Sequence, residues 1–174
     1  VMAQIVYYIT ATDLLAGPIN VCVPSGNFGN VFSGWIARRM GAPIDQLVVA
    51  ANANDILERF FNRNDMSAAA VVPSLSPSMD IQVSSNFERL QWLYPDAAEL
   101  RAALSAEAVD DDTIRATIVA IWERHGEVIC PHTACAAHVL QRLRETGASG
   151  DWTAVATAHP AKFPEVVEPL VGHA

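Results

Sequence analysis

Six consecutive residues, Ser25-Gly26-Asn27-Phe28-Gly29-Asn30, join a short apolar run, Val21 to Val23, to an amphipathic stretch with Val31, Phe32, Trp35 and Ile36 on one side. A buried strand that turns through small residues into a helix aims free backbone N–H groups, and the positive end of the helix dipole, at one point in space. Gly26 and Gly29 lack a Cβ, so the spacing predicts a tight turn and a close approach to a ligand. Asn27 and Asn30 tolerate unusual dihedrals and offer neutral amide donors. The chemistry these types suit is anion binding, with a phosphate group as the natural occupant. They suit an ordinary strand-to-helix turn with Asn30 as N-cap equally well, and the local pattern does not separate the two readings. The spacing Gly26-x-x-Gly29-x-x-x-x-Gly34 is not G-x-G-x-x-G, and no Lys-Ser/Thr pair follows as in a Walker loop. A phosphate held by neutral donors is an anchor for a cofactor rather than a group undergoing transfer.

Three further clusters carry reactive types. Thr157, His159 and Lys162 follow the apolar run Trp152 to Ala156, and Lys162 is the only lysine in the chain, so any lysine chemistry has this candidate or none. Cys130, His132, Cys135 and His138 have a metal-like spacing. A helix from about His132 would place Cys135 and His138 on one face and leave Cys130 and His132 at its mouth, whereas closed zinc sites usually draw on two separate elements. A packed helix with small residues explains the same letters, so no metal is assigned. Asp110, Asp111 and Asp112 stand where a helix begins and read as a solvated cap favoured by the dipole.

The elements that must position these groups alternate between strand and helix. Val21–Val23, Gln46–Ala51, Val128–Ile129 and Trp152–Ala156 read as buried strands. Val1–Ala16, Asn30–Met40, a helix with Ile56, Leu57, Phe60 and Phe61 on one face, Asn86–Trp92 with Phe87, Leu90 and Trp92 inward, Ala97–Leu104 and Thr113–His125 read as helices. Asn54 or Asp55 can cap the third of these. The first two strands and their crossover form a βαβ unit. The loops at their carboxyl ends, Ser25–Asn30 and Asn52–Asp55, then lie together where open α/β sheets bind ligands, with Thr157 arriving as a third loop on the same edge. Between Arg63 and Asp96 a proline- and serine-rich stretch around Val71–Ile81 is too apolar for a free linker and reads as an ordered cover. The expectation is one α/β domain over residues 1–174, three-layered with a mostly parallel sheet.

Composition narrows the function. The chain has 174 residues, 51% hydrophobic and 17% charged, with a net charge of −8. That acidity argues against a nucleic-acid surface. No apolar stretch approaches the ~20 residues of a membrane span, and no positive charge precedes the first apolar run as in a signal peptide. Three cysteines are too few for a disulfide scaffold. A cytoplasmic location is expected.

Four stretches resemble one family. PSGNFGN (24–30), SPSMDIQVSSNFERL (76–90), PHTA (131–134) and TAHPAKFPE (157–165), with AQIVYY (3–8) and AANANDIL (50–57), look like threonine synthase, a pyridoxal-phosphate enzyme of fold type II. The resemblance spans essentially the whole chain in the right order. It implies pyridoxal 5'-phosphate as cofactor, with Gly26, Asn27, Phe28, Gly29 and Asn30 as its phosphate cup and Thr157 bonded to its pyridine nitrogen. It also implies conversion of O-phospho-L-homoserine and water to L-threonine and phosphate. Two departures stand out. Lys162 matches the lysine after the last strand, not the family's Schiff-base lysine, which belongs to an earlier region with no counterpart here. Cys130 replaces an aspartate expected before PHTA. The expectation is therefore the C-terminal part of the large cofactor-binding domain, inactive alone and prone to self-association through newly exposed apolar surface. A non-catalytic relative, or another fold type II lyase such as threonine dehydratase, remains the alternative.

Overall fold

The computed structural model describes residues 1–15, 17–94 and 96–173. Helix α1 (Met2–Leu14) leads into strand β1 (Ile19–Pro24), helix α2 (Gly29–Arg39) and strand β2 (Ile44–Ala51). Helix α3 (Ile56–Arg63) is followed by a long irregular stretch with one 3-10 turn at Pro77–Met79. The chain then forms α4 (Phe87–Leu93), α5 (Ala97–Ala103) and β3 (Ser105–Ala108). The last part comprises α6 (Asp111–His125), α7 (Pro131–Glu145), β4 (Asp151–Ala154), a 3-10 turn at Pro160–Lys162, and α8 (Pro164–Val171).

The sheet is four-stranded in the order β3-β2-β1-β4, and β1–β2, β1–β4 and β2–β3 all pair parallel. Every residue of β1 is buried, as a central parallel strand covered on both faces must be. Alternate side chains sort the core into two layers. Val21, Val23, Leu47 and Val49 pack with Tyr8, Phe32, Phe60, Phe87 and Leu100. Cys22, Val48 and Ala50 face the other way, against Ile114, Ile118, Ala134, Cys135 and Val139. Helices α1 to α5 thus cover one face and α6 to α8 the other, which is the three-layer α/β fold expected.

Several local expectations change. The opening helix is found, though its expected last residue, Ala16, lies outside the described residues. Trp92 is 81% exposed while Phe87 and Leu90 are buried, so α4 turns only part of its apolar side inward. Val128–Ile129 forms no strand, because Cys130 and Pro131 already begin α7. Instead β3, a run of Ser-Ala-Glu-Ala with no strand signature, completes the sheet by pairing Val48 to Ala51. Tertiary pairing there overrides a weak local preference. Asp110 caps α6 by accepting from the Thr113 N–H at 2.8 Å, as the acidic run implied. Asp55 occupies the N-cap of α3 without capping it, because its carboxylate pairs with Arg59 at 3.0 Å.

Candidate active site

The loop after β1 is held by its own residues. Ser25 donates its N–H to Ala50 O at 3.0 Å, tying the loop to the end of β2. The Ser25 hydroxyl then accepts the Phe28 N–H at 3.1 Å. Phe28, with φ of 63°, is the residue that makes the left-handed turn into α2. Neither glycine does so. A non-glycine residue there is strained, and burial of its ring edge-on to Phe87, 5.2 Å between centroids, holds it in place. Gly26 is needed for a different reason: a Cβ on it would lie 2.7 Å from Met79 O and 2.8 Å from Met79 Cα. The close approach that the absent Cβ permits is to the backbone of Met79.

What remains is a cradle of free backbone donors. Among the described residues the N–H groups of Gly26, Asn27, Gly29 and Asn30 have no protein acceptor, while that of Phe28 is used inside the loop. Gly29 and Asn30 open α2, so the helix dipole adds to their donors. Asn30 is oriented by Tyr8, whose buried hydroxyl donates to Asn30 Oδ1 at 2.7 Å and leaves the amide nitrogen as the free end. Burial pushes the Tyr8 phenol far up, so it stays a donor. Asn27 Oδ1 instead accepts the Ser85 N–H and hydroxyl at 2.9 and 2.8 Å, pinning the loop to the start of α4.

A cavity of about 300 Å³ opens over this cradle, lined by Gln4, Pro24 to Asn30, Ser78, Met79, His132, Thr157 and Ala158. No arginine or lysine is among these lining residues. Thr157 is brought to the rim as expected, its N–H donating to Thr133 Oγ1 at 3.2 Å. His159 and Lys162 are not: both are exposed, and His159 Nδ1 accepts the Ala161 N–H to cap the short turn. Asn52 and Asn54 also do not line the cavity. Their amides pin the overlying loop, Asn52 Nδ2 to Asp80 Oδ1 at 2.7 Å and Asn54 to both backbone groups of Val72 at 2.8 Å. Asp80 further accepts the Ser74 N–H and hydroxyl, and Asp111 accepts the Leu75 N–H. The stretch expected as an ordered cover is thereby fixed against the cradle at Ser78 and Met79.

Two residues that sequence alone did not bring to the site are His132 and Ser78. Buried His132 accepts the Ser78 N–H at Nε2, 3.2 Å away, which puts its proton on Nδ1. That Nδ1 is one of four buried side-chain polar atoms without a partner among the described residues. The only sequence signal for it was the PHTA stretch, which reads locally as a helix start. The metal-like spacing resolves into divergent contacts: Cys130 caps α7 through the Thr133 N–H, Cys135 donates to Pro131 O, and His132 faces Ser78.

The match of this geometry to known proteins is extensive. Residues 1–160 match the family described as pyridoxal-phosphate dependent enzyme, and the chain belongs to that family. It is similar to the threonine synthase of Pseudomonas aeruginosa, 41% identical over 97% of this chain and 42% of that protein. The structure of pyridoxal-phosphate-bound threonine synthase from Brucella melitensis superposes with a TM-score of 0.88 at 38% identity, over 98% of this chain and 42% of that one. Threonine synthase from Escherichia coli superposes at 0.87 and 34% identity, over 99% of this chain and 40% of that one. The chain thus spans less than half the length of the relatives it matches. Serine racemase from Dictyostelium discoideum, at 14% identity and a TM-score of 0.67, shares the fold. The chain thus has the fold of the pyridoxal-phosphate-dependent threonine synthases it is similar to, and the cofactor of its family is pyridoxal phosphate. Its residues fit that group. Unpartnered N–H donors suit the phosphate, the cavity gives room for a ring, and Thr157 adds a hydroxyl-bearing residue to the lining. No helix is long and apolar enough to cross a membrane among the described residues.

Proposed function

We propose that this chain supplies the phosphate-and-ring side of a threonine synthase site acting on O-phospho-L-homoserine in the cytoplasmic synthesis of threonine. The observation that carries the reading is the set of unpartnered N–H groups on Gly26, Asn27, Gly29 and Asn30 opening into one cavity with Thr157. When bound, pyridoxal phosphate supplies an electron sink for removing protons beside the amino acid's nitrogen and expelling the phosphate. The chain's own residues bind and orient. The cradle anchors the cofactor phosphate through neutral dipoles, whose strength does not change with pH as a histidine's would. Phe28 shapes the cradle without donating to it. Thr157 meets the ring nitrogen, and the Ser74–Asp80 cover keeps bulk water from the phosphate end.

None of the residues lining the cavity is a lysine, and Lys162 lies exposed outside it. The amine that links the cofactor covalently is therefore assigned to a segment outside these 174 residues, the remainder of a longer cofactor-binding domain. These residues alone are expected to release no phosphate from O-phosphohomoserine. Binding is the more direct test. In isotope-labelled protein, pyridoxal phosphate, or inorganic phosphate as the anion alone, should first move the amide resonances of Gly26, Asn27, Gly29 and Asn30. A response confined to other residues, or none at millimolar ligand, overturns the proposal.

A further inference from the structure

The site holds one group that the reading above does not use. Cys130 is fully buried at the mouth of α7, at the N-cap position. Its sulfur receives the Thr133 N–H at 3.4 Å and lies 3.2 Å from the Thr133 hydroxyl and 3.6 Å from the Thr157 hydroxyl. A sulfur that ends a 15-residue helix, with one N–H and two hydroxyls around it, sits in a field that favours negative charge. Thiols are poor acceptors and thiolates are good ones. We propose that Cys130 is a positioning residue for Thr157: as a thiolate it accepts the Thr157 hydroxyl proton in a hydrogen bond and leaves the lone pairs of Thr157 facing the cavity.

The direction of that one hydrogen bond decides what Thr157 can do. A hydroxyl has a single proton. Given to Cys130 Sγ, it cannot also be given to a ring nitrogen, so Thr157 presents an acceptor and favours a protonated nitrogen. Were Cys130 a neutral thiol donating to Thr157, the threonine proton would turn into the cavity and favour the unprotonated nitrogen instead. The consequence for the ring rests on the proposed role of Thr157, but the charge on Cys130 does not. On ionisation the thiol proton is released to solvent, and the remaining charge sits at the mouth of α7.

The electrostatics agree with the geometry. Burial pushes the Cys130 thiol up, but His132, the Thr133 hydroxyl and N–H, and the Thr157 hydroxyl outweigh it and bring it from 9.0 down to about 6. His132 is the first of these lowering influences, and its Nδ1 has no other hydrogen-bond partner among the described residues. The titratable groups that face Cys130 are His132 and Cys135, both on α7, and from the loop after β4 it meets the neutral Thr157. The other two cysteines behave oppositely: burial pushes Cys22 and Cys135 up to about 12. Any thiolate seen at neutral pH therefore belongs to Cys130.

The test needs no cofactor. Thiolate absorbance of the full chain, followed across pH, should show one group with a midpoint near 6 that disappears in Cys130→Ser. Thr157→Val, which removes a donor, should move that midpoint up by about one pH unit. A sulfur that served only as a helix cap would not respond to Thr157→Val. Circular dichroism checks that both variants keep their helices. If either loses them, alkylation rates of the unsubstituted chain across pH decide the midpoint, since the thiolate is the reacting form. A midpoint near the ordinary 9.0, or one that Thr157→Val leaves in place, overturns the inference. Either outcome is distinct from failure of the cradle, which is read from the glycine and asparagine amides in the presence of ligand.

Discussion

Replacing Gly26 by alanine isolates what this glycine is for. Its backbone is not left-handed, so a methyl group is acceptable to the local dihedrals. The obstacle is the contact with Met79, where the new Cβ would lie 2.7 Å from the carbonyl oxygen and 2.8 Å from Cα. Comfortable carbon contacts are about 3.5–4.0 Å, so the overlap approaches an ångström. Both sides are backbone, and both are tied. Ser25 is bonded to Ala50, and Asp80 is held by Asn52, Asn54 and Ser74. One segment must move, at a cost of about 1–3 kcal/mol for overpacking. Stiffening the unfolded chain returns about 0.4–1 kcal/mol, leaving a net loss of about 1–2 kcal/mol. Gly29→Ala is the control. Its Cβ would make ordinary contacts only, with Asn86 Nδ2 at 3.5 Å and Val1 Cγ2 at 3.9 Å, and it begins α2, where alanine is a better helix former. Its stability should stay within about 0.5 kcal/mol of the parent. Urea midpoints at constant m-value measure both. A Gly26→Ala protein as stable as Gly29→Ala would refute the reasoning that Met79 selects the glycine.

Other perturbations follow from the same contacts. Tyr8→Phe removes the hydroxyl that orients Asn30, costing about 1 kcal/mol, and should weaken phosphate binding at the cradle in a calorimetric titration. Asp80→Ala leaves the donors of Asn52, Asn54 and Ser74 without their shared acceptor, costing about 2–3 kcal/mol. It should also open the 64–85 stretch to proteolytic nicking. Cys130 adds a pH dependence. Its folded value of about 6 lies below the ordinary 9.0, so its stabilisation is complete above the higher value and is lost as pH falls through the lower. The full shift corresponds to about 4 kcal/mol, and screening through the adjoining cavity reduces this to about 2 kcal/mol. Chemical denaturation at several pH values should show that slope, and Cys130→Ser should flatten it. Finally, Met2, Val6, Tyr7 and Leu14 make α1 strongly apolar outward, and β4 pairs on one side only among the described residues. Light scattering should show self-association of these 174 residues, reduced in Val6→Asp/Leu14→Asp; a clean monomer from the parent sequence refutes this.

Legibility in the sequence tracked how local the cause was. Strands β1 and β2 and helices α2, α3, α6 and α7 were readable because their apolar residues recur with the period of the element they form. Strand β3 was not, since Ser-Ala-Glu-Ala becomes a strand only by pairing with β2. His132 was missed as a site residue because its partner Ser78 lies 54 positions away. Trp92 was expected inward because its type says so, and only the packing of α4 leaves it exposed.

The cradle itself shows how far a motif's letters can mislead about causes. Its two glycines suggested a left-handed turn and a ligand approaching the backbone. In the folded chain the left-handed residue is Phe28, held there because its ring packs against Phe87 and Phe87 in turn against Phe60. Gly26 yields to Met79, and Met79 is placed by Asp80 and the two asparagines after β2. The free N–H groups therefore depend on residues far outside the glycine loop. A sequence could keep Ser-Gly-Asn-Phe-Gly-Asn intact and still lose the cradle by changing Phe87 or Asp80. The additional stretches around 50–57 and 76–90 are specific for this reason: they build the surroundings that shape a common loop and leave its N–H groups free.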